Sequence, residues 1–194
     1  MIEAVLALTT LSVLCFGKAG ATVPTGLPLA FSGLGALWMF GGFPGSVFDT
    51  QMSVWMVGEV LELFVLVDFL QFLAHVWSHR TPLLRNAHRV HHVQVRPRAA
   101  DAFRTDPLDA FVQLLAPLYV SLFAVRPCRA ATSLFGVSYG LWLQWLHCDT
   151  PSALAHRSRW WVTPYAHHLH HVYPSKNYGH LLLIWDRAFG TCAL

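Results

Sequence analysis

The sequence predicts an all-α protein, an integral-membrane helical bundle with a histidine-rich cap on its cytosolic side, and three observations lead there. Of the 194 residues 55% are hydrophobic and only 12% charged, whereas soluble domains average about 25% charged. The apolar residues fall in long blocks and not in short periodic faces, which is the signature of membrane segments. All twelve histidines lie after residue 74, in and beside the stretches that the later blocks bracket. The chain reads as a single domain over 1–194, with N-terminal membrane segments in 1–67 and the histidine motifs in 68–194.

Residues 1–16 read as a first membrane segment. Ala19-Gly20-Ala21 after them could mimic a signal-peptidase site, but the start has Glu3 and no Lys or Arg. No residue between Lys18 and Asp49 is charged, which gives a second block. Residues 52–77 form a third, and they carry Glu59, Glu62 and Asp68, so this helix has polar surroundings to face inside a bundle. Two uncharged runs follow, 110–125 and 130–146, joined by Arg126-Pro127-Cys128-Arg129. At 16 and 17 residues they are near the lower limit for crossing about 30 Å of hydrocarbon, so they predict either a short transmembrane hairpin or a re-entrant one.

Either hairpin puts residues 78–109 and 147–194 on one side of the membrane, and these hold nine of the eleven arginines. The positive-inside rule makes that side cytoplasmic. The net charge of +3 and the isoelectric point near 8.8 follow from this topology. The arginines are not interleaved in a nucleic-acid patch, and no nucleic-acid partner is expected. Cys15, Cys128, Cys148 and Cys192 form no C-x-x-C pair, which predicts free thiols on a reducing face. Cys148 follows a histidine, yet it reads as a partly buried bystander.

The histidine spacing carries the chemistry. His75 and His79 stand four apart at the end of the acidic apolar helix, about 40° apart in projection. His88, His91 and His92 form H-x-x-H-H, which on a helix places three imidazoles on one side. The same pattern returns as His167, His170 and His171, and His147 closes the last uncharged run. Nine imidazoles from four segments supply four or five ligands to each of two metal ions, too many for one. Neutral imidazole suits iron, zinc, copper and nickel, so the ligands alone do not choose the metal.

A single H-x-x-x-H on a helix is a weak signal, but two copies of H-x-x-H-H beside it outweigh chance. His147 taken alone reads equally as a ligand and as an interfacial polar residue. His156, His168 and His180 read as hydrogen-bond partners behind the ligands or as solvated residues. Within the run 167–171, His168 occupies the place of Arg89 in the first copy, and a guanidinium cannot ligate a cation. Asp68 shares a helical stripe with His75 and His79 but lies about 10 Å of rise below His75. It reads as a partner for a histidine of another helix or as a buried structural acceptor. Glu59 and Glu62 read as packing or cavity-lining groups, and the tryptophans, including Trp160-Trp161, as interfacial belts. Phe64, Phe69, Phe72 and Leu143, near the ligand positions, read as candidate walls for an apolar substrate.

From about Asp68 to Thr191 the chain resembles the fatty acid hydroxylase superfamily, which includes the sterol desaturases. The resemblance is carried by DFLQFLAHVWSHRTPLLRNAHRVHH, AFRTDPLDA, LQWLHCDT, TPYAHHLHH and NYGHLLLIWDRAFGT. It implies a cytosolic histidine cap on a membrane bundle, in which two iron ions activate O2 for hydroxylation or desaturation of a lipid C–H bond. Zinc could displace the iron in preparations. Carried over residue by residue, the implied ligands are His75, His79, His88, His91, His92, His147, His167, His170 and His171. The chain departs from the pattern at LLRNAH, where an aromatic often follows the leucine. It departs again at Asp106, where sterol-desaturase-like members carry a histidine before proline, and this weighs against a sterol.

The expected partners are therefore a lipid, O2, the membrane and a separate electron donor of cytochrome b5-like or ferredoxin-like type, because no His-Pro-Gly-Gly haem motif is present. The expected location is a bacterial inner membrane or the endoplasmic reticulum. Two rival classes make other demands. A zinc-dependent membrane hydrolase would use a carboxylate base, and H-E-x-x-H is absent. A haem or metal carrier would pair histidines mid-helix across two spans, whereas these cluster at helix ends.

Overall fold

The computed structural model describes residues 54–194; the block at 1–16 and the uncharged run between Lys18 and Asp49 lie outside them. The described residues are helical with no strand, apart from one antiparallel bridge between Trp161 and Leu182. Helix α1 runs Met56–Arg80, α2 Pro82–His88, α3 Pro107–Tyr119, α4 Arg129–Leu146, α5 Pro151–Ala155, α6 Pro164–Val172 and α7 Ile184–Ala188. Short 3-10 turns at His91–Val93 and Ala99–Asp101 link α2 to α3, and a π-helical turn at Val120–Ala124 prolongs α3.

The starts of these helices are written locally. Proline opens α2, α3, α5 and α6, where its missing N–H costs nothing. The side chains of Asp106, Thr150 and Thr163 cap α3, α5 and α6 by accepting from the amides of Leu108, Ala153 and Ala166.

Helices α3 and α4 both pack on α1. Gln71 of α1 donates to the carbonyl of Gln113 on α3 at 2.8 Å. At the far end Glu59 accepts from the amide of Cys128 at 3.0 Å, beside the turn where Arg126 adopts φ 51°. Glu59 thus anchors the hairpin turn, while Glu62 is exposed and packs in no interior. Leu63, Val67, Val120, Phe135 and Tyr139 form the core between the three helices. Outward, α1 shows Val57, Leu61 and Val65 and α4 shows Leu134, Val137 and Leu141, all exposed. Among the described residues one helical stretch, Pro107–Ala124, is long and apolar enough to cross a membrane; α1 and α4 fall short of that measure.

The C-terminal segment is strapped onto this frame by buried carboxylates. Asp68 accepts from the amides of Leu181 and Leu182 and from Trp185 Nε1 at 2.8–3.0 Å. Asp186 accepts from the amides of Tyr178 and Gly179 and from the Thr191 hydroxyl. Gly179 is required there, since a Cβ would stand 2.9 Å from both Asp186 Oδ2 and the Leu182 carbonyl. Asn177, at φ 53°, ties Ala166 to Ala193 through its side chain.

Candidate metal centre

The ends of α1, α2 and α4, the 3-10 turn at His91–Val93 and α6 meet at the histidines. Nine imidazoles form two groups, one of His75, His79, His88, His92 and His170, the other of His91, His147, His167 and His171. Within each group the candidate donor atoms all lie within 4.8 Å of one another. In the first group the Nε2 atoms close a ring. His75 to His88, His88 to His92 and His92 to His170 are 3.1 Å each, His170 to His79 is 3.2 Å and His79 to His75 is 3.3 Å. In the second, His91, His147, His167 and His171 follow in a chain at 3.3, 3.0 and 3.3 Å.

Two of these contacts, His75 to His88 and His91 to His147, are not hydrogen bonds between neutral rings, because the protons of both partners are committed elsewhere. The Nδ1 atoms of His75, His91, His147, His170 and His171 point at the carbonyls of Tyr178, Arg104, Leu143, Lys176 and Gln94, at 2.7–3.2 Å. His88 Nδ1 points at both oxygens of Asp109, at 2.9 and 3.0 Å. Carbonyls and carboxylates accept only, so these six rings carry their proton on Nδ1 and turn a bare lone pair inward at Nε2. His75 and His88, with lone pairs 3.1 Å apart, repel unless a cation lies between them. Ligands about 2.0–2.1 Å from one metal stand about 2.9–3.4 Å apart across right-angled and tetrahedral arrangements, and the observed spacings fall in that range. The donor sets fit two first-row metal ions, five imidazoles to one and four to the other.

Electrostatics keep these rings in the ligating form. Burial first, and the neighbouring imidazoles next, push His167 and His170 well below the ordinary histidine range, and His92 and His171 also fall. The same burial brings His91 to about 4 and His180 to about 3.

A cavity of about 280 Å³ abuts both groups. His75 and His88 of the first group and His91, His147 and His167 of the second form its floor. Its walls are largely apolar, with Ala110, Leu114 and Pro117 from α3 and Phe135, Gly136 and Leu143 from α4.

Several expectations change here. Each H-x-x-H-H run is divided between the groups: His88 and His92 go to one and His91 to the other, as do His170 against His167 and His171. The first run does not lie on one side of a helix, because α2 ends at His88 and His91 begins a separate 3-10 turn. Asp68 bonds the C-terminal strap, and none of its hydrogen bonds reaches a histidine. His156 is exposed, with its ring 5.9 Å from Trp145. His168 belongs to neither group and lines a separate pocket with Arg96, Asp149 and Tyr165. His180 stacks on His75 at 4.9 Å and faces the cavity. Leu143 lines the cavity as expected, but Phe64 packs on Phe135, Phe69 on Trp185 and Phe72 on Phe189 instead. Cys148 lies outside both groups.

Sequence reasoning missed Asp109. The signal was its place in TDPLDA, three residues past the cap Asp106, where a carboxylate on the first turn of α3 faces back toward the preceding segment.

An all-helical frame thus carries two imidazole groups that could each hold a metal ion and that open on a largely apolar cavity. The chain belongs to the fatty acid hydroxylase family, whose profile matches residues 60–191. It is 32% identical over 173 residues to the alternative squalene epoxidase of Phaeodactylum tricornutum, covering 87% of this chain and 49% of that protein. It is 27% identical over 124 residues to the Delta(7)-sterol 5(6)-desaturase of Leptosphaeria maculans, covering 64% of this chain and 34% of the relative. With the human alkylglycerol monooxygenase it shares 26% over 132 residues, 66% of this chain and 29% of the relative. The chain therefore spans about half or less of the length of these relatives. No solved structure matches it. The match reaches further toward the N-terminus than the motifs alone suggested, beginning at residue 60 and not near Asp68.

Proposed function

We propose that the chain is a di-iron membrane oxygenase that hydroxylates or desaturates a lipid, using O2 and electrons from a separate donor of cytochrome b5-like or ferredoxin-like type. His75, His79, His88, His92 and His170 would hold one iron, and His91, His147, His167 and His171 the other. Bound there, the irons would supply the O2-dependent oxidation of an unactivated carbon. The chain's own part is positional. Six Nδ1 anchors hold the Nε2 atoms in place before any metal arrives, and the apolar walls keep water from the reacting centre. The observation that carries this reading is the contact of one apolar cavity with both imidazole groups.

The outward apolar faces of α1 and α4 and the apolar length of α3 support a membrane location. In this reading residues 1–67 supply membrane segments and 68–194 the catalytic region of one domain. The arginine excess sets the histidine cap on the cytoplasmic face of a bacterial inner membrane or the endoplasmic reticulum. The relatives' names include an epoxidase, so products across a double bond belong in the assay as well.

The test pairs metal analysis with turnover. The purified chain should hold close to two iron atoms, and lipid mass spectrometry of cells with and without the gene should show an oxidised lipid formed only with O2 and a reductant. A metal content near zero without chelator, or full turnover under strict anaerobiosis, would overturn the proposal.

A further inference from the structure

The cavity over the histidines lies between two helices that ordinary packing would close on each other. α3 with its π-helical turn and α4 are consecutive, and only residues 125–128 join them. Helices on so short a connection pack as antiparallel neighbours, with axes about 8–10 Å apart. Here both pack on α1 and scarcely touch one another. One cause is Pro117, inside α3, which has no N–H for the carbonyl of Gln113. Gln71 Nε2 of α1 donates to that carbonyl instead, at 2.8 Å, and holds α3 against α1.

The gap between the two helices is filled at its ends. Toward the cap the Ala99–Asp101 turn packs on α4, and Ala102, Phe103 and Thr105 line the cavity. Toward the hairpin turn Val120 and Phe135 join the core on α1. Between these ends α4 turns Gly136 and Gly140 to the cavity. Gly136 is also exposed, and among the described residues a Cβ at either glycine would meet nothing within 4 Å. The wall is therefore thin along one helical turn, about 10 to 16 Å of rise from His147. Next to the glycines in sequence α4 shows Val137 and Leu141, and next to the cavity-lining Ala110 and Leu114 α3 shows Phe111 and Leu115, all exposed. Such a rim faces hydrocarbon in the proposed membrane setting.

We infer that the gap between α3 and α4 is a side entrance through which an apolar lipid passes from the bilayer to the imidazole floor, and that Gly136 and Gly140 keep it open. This rests on the proposed oxygenase reading and adds where the substrate resides and which residues admit it: a lipid dissolved in the hydrocarbon, not one delivered from the aqueous side. Side chains at these two positions set the girth of what enters.

Photolabelling of the full chain in lipid nanodiscs tests it. A hexadecane with a mid-chain diazirine stays in the hydrocarbon, and a short diazirine sulfonate stays in water. Peptide mass spectrometry reads the label on Leu114 and Leu143, which line the cavity, and on Leu134, Val137 and Leu141, which face outward. In the unaltered chain the alkane probe is expected to label both sets and the aqueous probe to leave the cavity unlabelled. A cavity that the alkane probe does not label, or that the aqueous probe labels as strongly, overturns the inference whether or not any variant folds. Gly136→Trp combined with Gly140→Leu should lose most of the cavity label and keep the outward label. Both changes replace a helical glycine where a Cβ has room, so the helix tolerates them. Cavity label undiminished in that variant overturns the inference too. Labelling needs neither metal nor turnover, and both are measured on the same preparation. Cavity label without metal sinks the oxygenase and leaves the entrance standing, while metal and turnover without cavity label do the reverse.

Discussion

The carboxylate of Asp109 holds His88 Nδ1 at 2.9 and 3.0 Å through its two oxygens, and this contact ties the first turn of α3 to the last residue of α2. The Thr105 hydroxyl donates to the same carboxylate at 2.5 Å. With Nδ1 so fixed, His88 turns Nε2 to within 3.1 Å of both His75 and His92. One ring thereby joins ligand candidates from two segments, and a side chain that touches no metal sets its direction.

Asp109→Ala is expected to lower metal affinity about 10- to 100-fold, because the ring loses the partner that fixes both its tautomer and its angle. Chelator competition followed by elemental analysis reads this directly. Metal retained as firmly as in the unaltered chain would show that Asp109 has no such role.

Gly179→Ala is expected to destabilise the fold by about 1–3 kcal/mol, through overpacking against atoms that cannot move away. Its Cβ would meet the Leu182 carbonyl and an Asp186 oxygen at 2.9 Å, and that oxygen already accepts from the Gly179 amide at 2.8 Å. The thermal unfolding midpoint of the detergent-solubilised chain measures the loss, and an unchanged midpoint would count against the strap as described.

The metal-free chain should weaken in acid. Burial holds His91 at about 4 and His180 at about 3 in the fold, whereas both sit near 6.5 in an unfolded chain. Between these values the unfolded state binds more protons, so stability is full above about pH 6.5 and is lost as the pH falls toward 4. Unfolding midpoints of chelator-treated protein at pH 7.5 and pH 5 should differ, the second being lower. A midpoint that holds or rises at pH 5 contradicts the assignment.

Much of this architecture was legible because its signals are local. The uncharged runs marked α3 and α4, and histidine spacing marked the members of the two groups apart from His147, which its place at the end of a run left open. What was not legible depends on contacts distant in sequence or on the backbone. The division of each H-x-x-H-H run follows from α2 ending at His88, so that His91 turns toward His147 while His92 turns toward His170. The Nδ1 anchors at Tyr178, Arg104 and Lys176 are main-chain carbonyls, which any residue type can supply. Phe64, Phe69 and Phe72 were placed on the cavity by nearness along α1, but that helix is covered on several sides, and α4 and the C-terminal strap claim those rings.

Two neighbouring histidines of one short helix offer the sharpest test of the ligand assignment. His170 Nε2 lies 3.1 Å from His92 and 3.2 Å from His79, with Nδ1 anchored on the Lys176 carbonyl at 2.7 Å. His168 lies two residues away on the same short helix α6, yet it belongs to neither group and lines the pocket shared with Arg96 and Asp149. Both side chains are buried, so burial alone does not distinguish them; direction does. Glutamine of similar reach at each position keeps the disturbance comparable. His170→Gln should bring metal content from two atoms per chain toward one, since the five-imidazole group loses a donor from the middle of its ring. His168→Gln should keep both. Elemental analysis after identical chelator washes measures the pair, and equal metal loss in the two variants would show that the assignment along α6 is wrong.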